Sequence, residues 1–175
     1  MRKSRGLKPE RYVASVLAVD PAGLAAAGYG AVLLDLDNTL LPRGGTSVDD
    51  DVARWVASLS EAGLAACILS NTAKPRVHEA AAALGVPVVE NARKPFAAGY
   101  VRACALLGVD ACDAVMIGDQ TYTDIWGAHR AGMDAILVKP LSSQDLFHTR
   151  ILRRLDAFVV RDMQPEPVAC DDGQK

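Results

Sequence analysis

The chain has 175 residues, half of them apolar, and carries a net charge of −2 at neutral pH. This length suits one domain with a sizeable core over residues 1–175, and a charge so close to zero argues against a basic nucleic-acid binder. The four cysteines form no C-x-x-C pair, which argues against a thiolate metal cluster or a disulfide framework, and no apolar run approaches the roughly 18 residues that a membrane span needs.

The first 28 residues are interpreted as an N-terminal extension with a basic start. Five cations fall within its first eleven residues, at Arg2, Lys3, Arg5, Lys8 and Arg11. Such an arm is either a solvated tail or a contact for an anionic surface.

From residue 31 onward, short apolar runs alternate with helical patterns. Strands are predicted at 31–36, 65–69, 86–89, 114–117 and 135–138, and helices at 50–62, 75–84, 96–107 and 123–131. This alternation predicts an α/β fold with a mostly parallel, Rossmann-like sheet between two layers of helices. The strand order 3-2-1-4-5 would bring the ends of strands one, two and four to one crevice.

Polar side chains follow these strands where each strand ends. Asp35 and Asp37 close the first strand, Ser70 follows the second, and Asp119 follows the fourth, with Asp124 at the start of the next helix. Ligands of open α/β sheets bind outside the carboxyl ends of the strands. Because a strand points residues i and i+2 to one face, we expect Asp35 and Asp37 to project together.

Clustered carboxylates repel one another unless cations neutralise them. Mg2+ prefers hard oxygen ligands, and Asp119 and Asp124 would add to the oxygens of the first pair. Ser70 and the backbone N–H of Asn71 would donate hydrogen bonds to a phosphoryl group, while Lys94 would supply positive charge. The pattern therefore predicts a phosphoryl-transfer site.

These motifs resemble those of the haloacid dehalogenase superfamily of phosphohydrolases and phosphotransferases. The match runs through D-x-D-x-T at 35–39, Ser70-Asn71, Lys94-Pro95 and G-D-x-x-x-x-D at 118–124. It implies that Asp35 becomes phosphorylated and that Asp37 protonates the leaving oxygen and then activates water.

The same resemblance implies roles for the surrounding residues. Mg2+ would be held by the Asp35 carboxylate, the backbone carbonyl of Asp37 and Asp119, with Asp124 nearby. Thr39 would brace the loop after the first strand, and Ser70 and Lys94 would hold the phosphoryl group.

A closer resemblance covers almost the whole chain. The segments GAVLLDLDNTL, LSNT, KPF, IGDQTYTDIWGAHRAGM and ILVKP are similar to the capless subclass IIIA phosphatases related to phosphatidylglycerophosphate phosphatase. This implies a HAD-like domain without a cap, whose open crevice must be covered by a large substrate or by a second subunit in a homo-oligomer. It further implies a phospholipid head group as substrate and a cytoplasmic protein peripheral at the inner membrane face.

Other interpretations remain open from the residues alone. One is a phosphatase of a soluble phosphomonoester whose site is closed by dimerisation; another is a phospho-receiver-like signalling or binding module.

Residues 146–175 are predicted to form a C-terminal helix and tail. Ile151, Leu155 and Phe158 share one helical face, and four arginines surround it: Arg150, Arg153, Arg154 and Arg161. That helix would pack on the domain or meet a membrane.

The histidines and two residues near the last motif are less informative. His78, His129 and His148 are scattered over separate helical regions, which favours surface or supporting roles over zinc ligation. Trp126 is interpreted as a packing anchor that also lies close enough to Asp124 to line the rim of the crevice. Arg130 is either a surface charge or a contact for a head group.

Overall fold

The structure is a computed structural model that describes residues 6–142 and 154–168. Several residues of the sequence predictions lie outside these ranges: Arg2, Lys3, Arg5, His148, Arg150, Ile151, Arg153 and Cys170.

The described strands form one sheet in which every pairing is parallel. They are β1 (Arg11–Val13), β2 (Ala31–Leu34), β3 (Ala65–Leu69), β4 (Val88–Val89), β5 (Ala114–Gly118) and β6 (Asp134–Val138), in the order β1-β6-β5-β2-β3-β4. The predicted fold class is confirmed, and the five predicted strands lie in their expected order. The sheet differs from the prediction by a sixth strand, β1, within the segment interpreted as an extension.

Five helices connect these strands: α1 (Pro21–Ala26), α2 (Asp50–Glu61), α3 (Pro75–Leu84), α4 (Ala97–Leu107) and α5 (Trp126–Ala131). Residues 154–159 are also helical. The bounds of α3 follow from its sequence, since Pro75 needs no partner in the first turn and Gly85 ends the helix with a φ of 66°.

Helices cover both faces of the sheet because strand residues alternate between them. In β2, Val32 and Leu34 pack with Trp55 of α2 on one face. Leu33 packs with Tyr100 of α4 on the other face. All five of these side chains are buried, so the domain has three layers, with the sheet between two layers of helices.

The edge strand β1 is held by the C-terminal segment. The backbone N–H of Glu166 donates to the Tyr12 carbonyl at 2.8 Å, and Ala14 N–H donates to the Glu166 carbonyl at 2.8 Å. The Arg11 guanidinium also pairs with the Glu166 carboxylate. Arg11 is therefore part of the sheet edge and not of a free basic arm.

The residues after 153 differ from the predicted amphipathic helix. Phe158 is 62% exposed, with the Arg161 guanidinium 4.7 Å from its ring centroid, whereas Asp156 is buried. The face that packs on the domain therefore carries a carboxylate.

The positions where a cap would be inserted carry none. Residues 38–49 join β2 to α2 without a further helix or strand, and residues 72–93 contain α3 and β4 of the domain itself. Within residues 6–142 and 154–168, no helix is both long enough and apolar enough to cross a bilayer.

Candidate active site

Asp35 is the first residue after β2 and is 8% exposed. Its Oδ1 accepts a hydrogen bond from Lys94 Nζ at 2.5 Å, and its Oδ2 accepts one from Thr39 Oγ1 at 3.2 Å. Both carboxylate oxygens therefore have fixed directions. Thr39, expected to brace the loop, contacts the proposed nucleophile itself.

Lys94 lies between two carboxylates, with its Nζ also 2.7 Å from Asp124 Oδ1. Burial acts to lower the pKa of Lys94, but the negative charges of Asp124 and Asp35 together outweigh burial and raise that pKa. The lysine is thus a buried ammonium that partly offsets the negative charge of the acidic cluster.

Asn71 positions Lys94 through the backbone. Its Oδ1 accepts from Lys94 N–H at 2.6 Å, and its Nδ2 donates to the Lys94 carbonyl at 3.2 Å. From the sequence, a role was predicted only for the Asn71 backbone N–H. These two hydrogen bonds, here called the amide clamp, join residues that are 23 positions apart. Local sequence spacing therefore could not predict them.

Asp35, Asp119 and Asp124 are all buried, and one carboxylate oxygen of each lies within 4.8 Å of the others. Burial is the main cause that raises the pKa of Asp35 to about 6, and the Asp124 charge adds to it while Lys94 opposes it. Asp124 is oriented by the Gln120 N–H, which donates to its Oδ2 at 3.1 Å. Three converging hard oxygen donors fit a divalent cation.

Asp37 is oriented differently from the expectation. Strand β2 ends at Leu34, so the two-residue alternation does not continue to Asp37. Its two carboxylate oxygens each accept a hydrogen bond from Arg76 Nη2 at 2.5 Å, and its carboxylate is not a member of the three-carboxylate cluster. Arg76, in the first turn of α3, was not predicted as its partner.

Ser70 lies directly after β3 and is buried. Its Oγ accepts from Thr72 N–H at 3.2 Å, and its carbonyl accepts from Ala92 N–H at 2.9 Å. The second contact ties the end of β3 to the loop that carries Lys94. Because β3 is hydrogen-bonded to β2, Ser70 and Asp35 end neighbouring strands at one edge of the sheet.

The segment after Asp119 is fixed by a distant carboxylate that the sequence analysis missed. Asp156 Oδ1 accepts from Thr121 N–H at 2.9 Å and from Thr121 Oγ1 at 2.6 Å. The two residues are 35 positions apart, so no motif spacing connects them. Next to this segment, the Tyr122 ring stacks on Trp126 at 5.2 Å, with the Arg130 guanidinium 4.8 Å from the Trp126 centroid.

Two histidines lie in the described residues, and both have carboxylate partners. His78 Nε2 is 2.8 Å from Glu90 Oε2, and His129 Nε2 is 3.0 Å from Glu10 Oε2. Neither histidine belongs to the acidic cluster.

Comparisons with known proteins identify relatives. A family model described as HAD-hydrolase-like matches residues 91–155. Over 152 residues the chain is 32% identical to the probable phosphatase YqeG of Bacillus subtilis, which covers 87% of this chain and 88% of that protein. It is 36% identical over 152 residues to the chloroplastic phosphatidylglycerophosphate phosphatase 1 of Chlamydomonas reinhardtii, across 81% of this chain and 56% of that protein.

Solved structures share the fold. The cobalt-bound deoxy-D-mannose-octulosonate 8-phosphate phosphatase YrbI of Haemophilus influenzae gives a TM-score of 0.52 at 15% identity, covering 81% of this chain and 91% of that one. A putative HAD family hydrolase of Streptomyces avermitilis gives 0.51 at 22% identity, covering 65% and 68%.

Proposed function

The chain belongs to the haloacid dehalogenase superfamily of phosphatases, and from that membership we propose that it hydrolyses phosphomonoesters through an aspartyl-phosphate on Asp35, with Mg2+ as cofactor. The observation that carries this proposal is the buried cluster of Asp35, Lys94, Asp119 and Asp124 at the carboxyl end of the sheet. The receiver-like alternative is set aside because the relatives are phosphatases.

The reaction proceeds in two displacements at phosphorus. In the first, an Asp35 oxygen forms a bond to phosphorus while the bond to the alcohol oxygen breaks, and Asp37 donates a proton to that oxygen. In the second, water attacks the aspartyl-phosphate, Asp37 takes a proton from the water, and the bond between phosphorus and Asp35 breaks. Inorganic phosphate leaves and both aspartates are restored.

The remaining site residues hold the phosphoryl group. Ser70 and the Asn71 backbone N–H donate to its oxygens, and Lys94 supplies positive charge from a position that Asn71 fixes. Asp35, the Asp37 backbone carbonyl and Asp119, with Asp124 nearby, would hold Mg2+, which would supply the positive charge that lets a carboxylate approach a phosphate anion.

The proposed substrate is phosphatidylglycerophosphate, which the enzyme would convert to phosphatidylglycerol at the inner membrane face. The open edge of the sheet supports a large substrate, and one relative is named for this lipid. Phe96, two residues after Lys94, is 60% exposed. Arg93 and Arg102 are also exposed, and residues 91–109 contain no acidic side chain, so this rim next to the site suits an anionic lipid surface.

A soluble phosphomonoester is the second candidate substrate. The relative that matches nearly the full length of both chains is named only a probable phosphatase. With such a substrate, a second copy of the chain would cover the open crevice.

The test compares phosphate release from phosphatidylglycerophosphate in mixed micelles with release from a panel of soluble phosphomonoesters, with Mg2+ and with chelator. Asp35→Asn should lose at least about a thousandfold in activity, whereas Asp162→Asn, at an exposed site, serves as the matched control. Activity retained by Asp35→Asn would refute the nucleophile. Better turnover of a soluble ester would keep the mechanism and reject the lipid.

A further inference from the structure

The ion pair between Arg76 and Asp37 lies at the rim of the site. The side chains of Arg76 and Asp37 are 18% and 22% exposed, compared with 3% for Lys94. Arg76 Nη2 donates to both Asp37 oxygens, while its Nη1 is buried and has no hydrogen-bond partner among the described residues. A guanidinium carries five donors, so Arg76 has hydrogen-bonding capacity that Asp37 does not use.

This pair fixes the direction of the Asp37 carboxylate. The inference rests on the proposed function, in which Asp37 gives a proton to the leaving oxygen. Arg76 Nη2 occupies one acceptor position on each Asp37 oxygen and so holds the carboxylate towards α3. A substrate anion that replaced Asp37 as the partner of Arg76 would free the carboxylate to turn towards the leaving oxygen.

The position of Arg76 identifies the part of the substrate that offers this anion. Lys94 and Ser70 serve the phosphoryl group that is transferred. Asp37 faces the leaving oxygen, so a guanidinium in contact with Asp37 lies beside the leaving alcohol. The replacement anion thus belongs to the alcohol and not to the scissile phosphate.

We propose that Arg76 determines specificity by binding a phosphodiester carried by the leaving alcohol, and that this contact releases Asp37 for proton transfer. A guanidinium binds phosphate oxygens through parallel hydrogen bonds from two nitrogens, whereas Arg76 now contacts the Asp37 carboxylate through Nη2 alone. Its unused Nη1 donor adds capacity for a group with more oxygens than Asp37 offers.

The test uses soluble substrates that differ in the second anion. Deacylated phosphatidylglycerophosphate carries a phosphodiester, 3-phosphoglycerate carries a carboxylate, and glycerol 3-phosphate carries neither. For Arg76→Gln, kcat/KM should fall about tenfold to a hundredfold for the phosphodiester substrate, chiefly through KM. The loss of kcat/KM should be clearly smaller for glycerol 3-phosphate, which offers Arg76 no second anion. Arg54→Gln, on the exposed face of α2, is the matched control.

Each other pattern overturns the proposal in a defined way. An equal loss of kcat/KM on all three substrates would mean that Arg76 only positions Asp37. An unchanged kcat/KM on all three would mean that Arg76 has no role in the site. An equal loss on the phosphodiester and carboxylate substrates would reject the assignment of the phosphodiester. Arg76→Lys, which keeps the charge without the fork, should recover only part of the lost affinity.

A binding measurement separates this inference from the proposed function. Calorimetry of the phosphodiester compound with Asp35→Asn protein needs no turnover, and adding Arg76→Gln should weaken that binding about tenfold or more. Weaker binding without any phosphate release by the wild type would retain Arg76 as an anion site and reject the phosphatase. Normal turnover by the wild type, with an affinity that Arg76→Gln leaves unchanged, would reject the role of Arg76 and keep the phosphatase. Thermal unfolding of each variant checks that it is folded.

Discussion

At the scale of single residues, the site is a balance of buried charges. Three carboxylates and one ammonium share a space that water hardly reaches. Burial of a charge is costly unless partners compensate it. The Lys94 ammonium compensates part of the negative charge, and the remaining negative charge favours the binding of a cation.

This balance predicts a pH dependence in metal-free protein. The pKa of Asp35 is raised to about 6, above its ordinary value of 3.8, so the folded state binds its proton more tightly than the unfolded chain does. The resulting stability is present below about pH 4 and is lost as the pH rises through 6. In urea titrations with chelator, the wild type should lose roughly 1–3 kcal/mol over this range relative to Asp35→Asn.

The contrast between the two proteins is the readout for Asp35 and its buried cluster, since groups remote from Asp35 titrate equally in both. Asp162→Asn should keep the wild-type pH profile because Asp162 is exposed. A profile of Asp35→Asn parallel to that of the wild type would contradict the raised pKa.

Asn71 gives a second prediction at this scale. Asn71→Ala removes both hydrogen bonds to the Lys94 backbone, so Lys94 loses its fixed position between Asp35 and Asp124. We expect phosphate release to fall about tenfold to a hundredfold, since misplacement of a catalytic group by about 1 Å has an effect of this size. Thr72→Ala retains both hydrogen bonds between Asn71 and Lys94, so its phosphate release should stay close to that of the wild type. Equal activity of the two variants would show that Asn71 does not position Lys94.

At the scale of secondary-structure elements, the end of β5 must stay open for Asp124. A Cβ added at Gly118 would lie 2.4 Å from Asp124 Cγ, while one added at Gly30, before β2, would meet its nearest atom at 3.5 Å. Gly118→Ala should therefore lower the free energy of unfolding by about 1–3 kcal/mol and displace the carboxylate. Gly30→Ala is the matched control and should change stability little.

Chemical denaturation and phosphate release together check this prediction. Both should decline in Gly118→Ala, since the same clash affects packing and the acidic cluster. Wild-type stability and activity in that variant would contradict the prediction, because the loop carrying Asp124 would then accommodate the added methyl group without loss of stability.

The elements also show why some features follow from sequence and others do not. Helix α3 matches its predicted bounds because proline and glycine mark both ends locally. Strand β1 has only three residues, and its stability comes from β6 and Glu166, which are remote in sequence. Motif order brought Asp35 and Asp119 together, but the direction of Asp37 depends on where β2 ends and on an arginine of α3.

At the scale of the whole molecule, the C-terminal segment connects two distant regions of the domain. Asp156 reaches the loop after Asp119 at the catalytic edge, and Glu166 completes the outer side of β1. Residues 154–168 therefore stabilise both the site and the sheet edge, although they add no side chain to the acidic cluster.

Asp156→Ala tests this connection. The change leaves the buried N–H and hydroxyl of Thr121 without their acceptor, and an unsatisfied buried donor costs about 1–3 kcal/mol. We expect a loss of unfolding free energy in that range together with reduced phosphate release, because Thr121 lies two residues after Asp119. Asp162→Ala, six residues further along and exposed, should stay within about 0.5 kcal/mol of wild type. If Asp156→Ala lost stability but kept full activity, the segment would support the fold without positioning the catalytic edge.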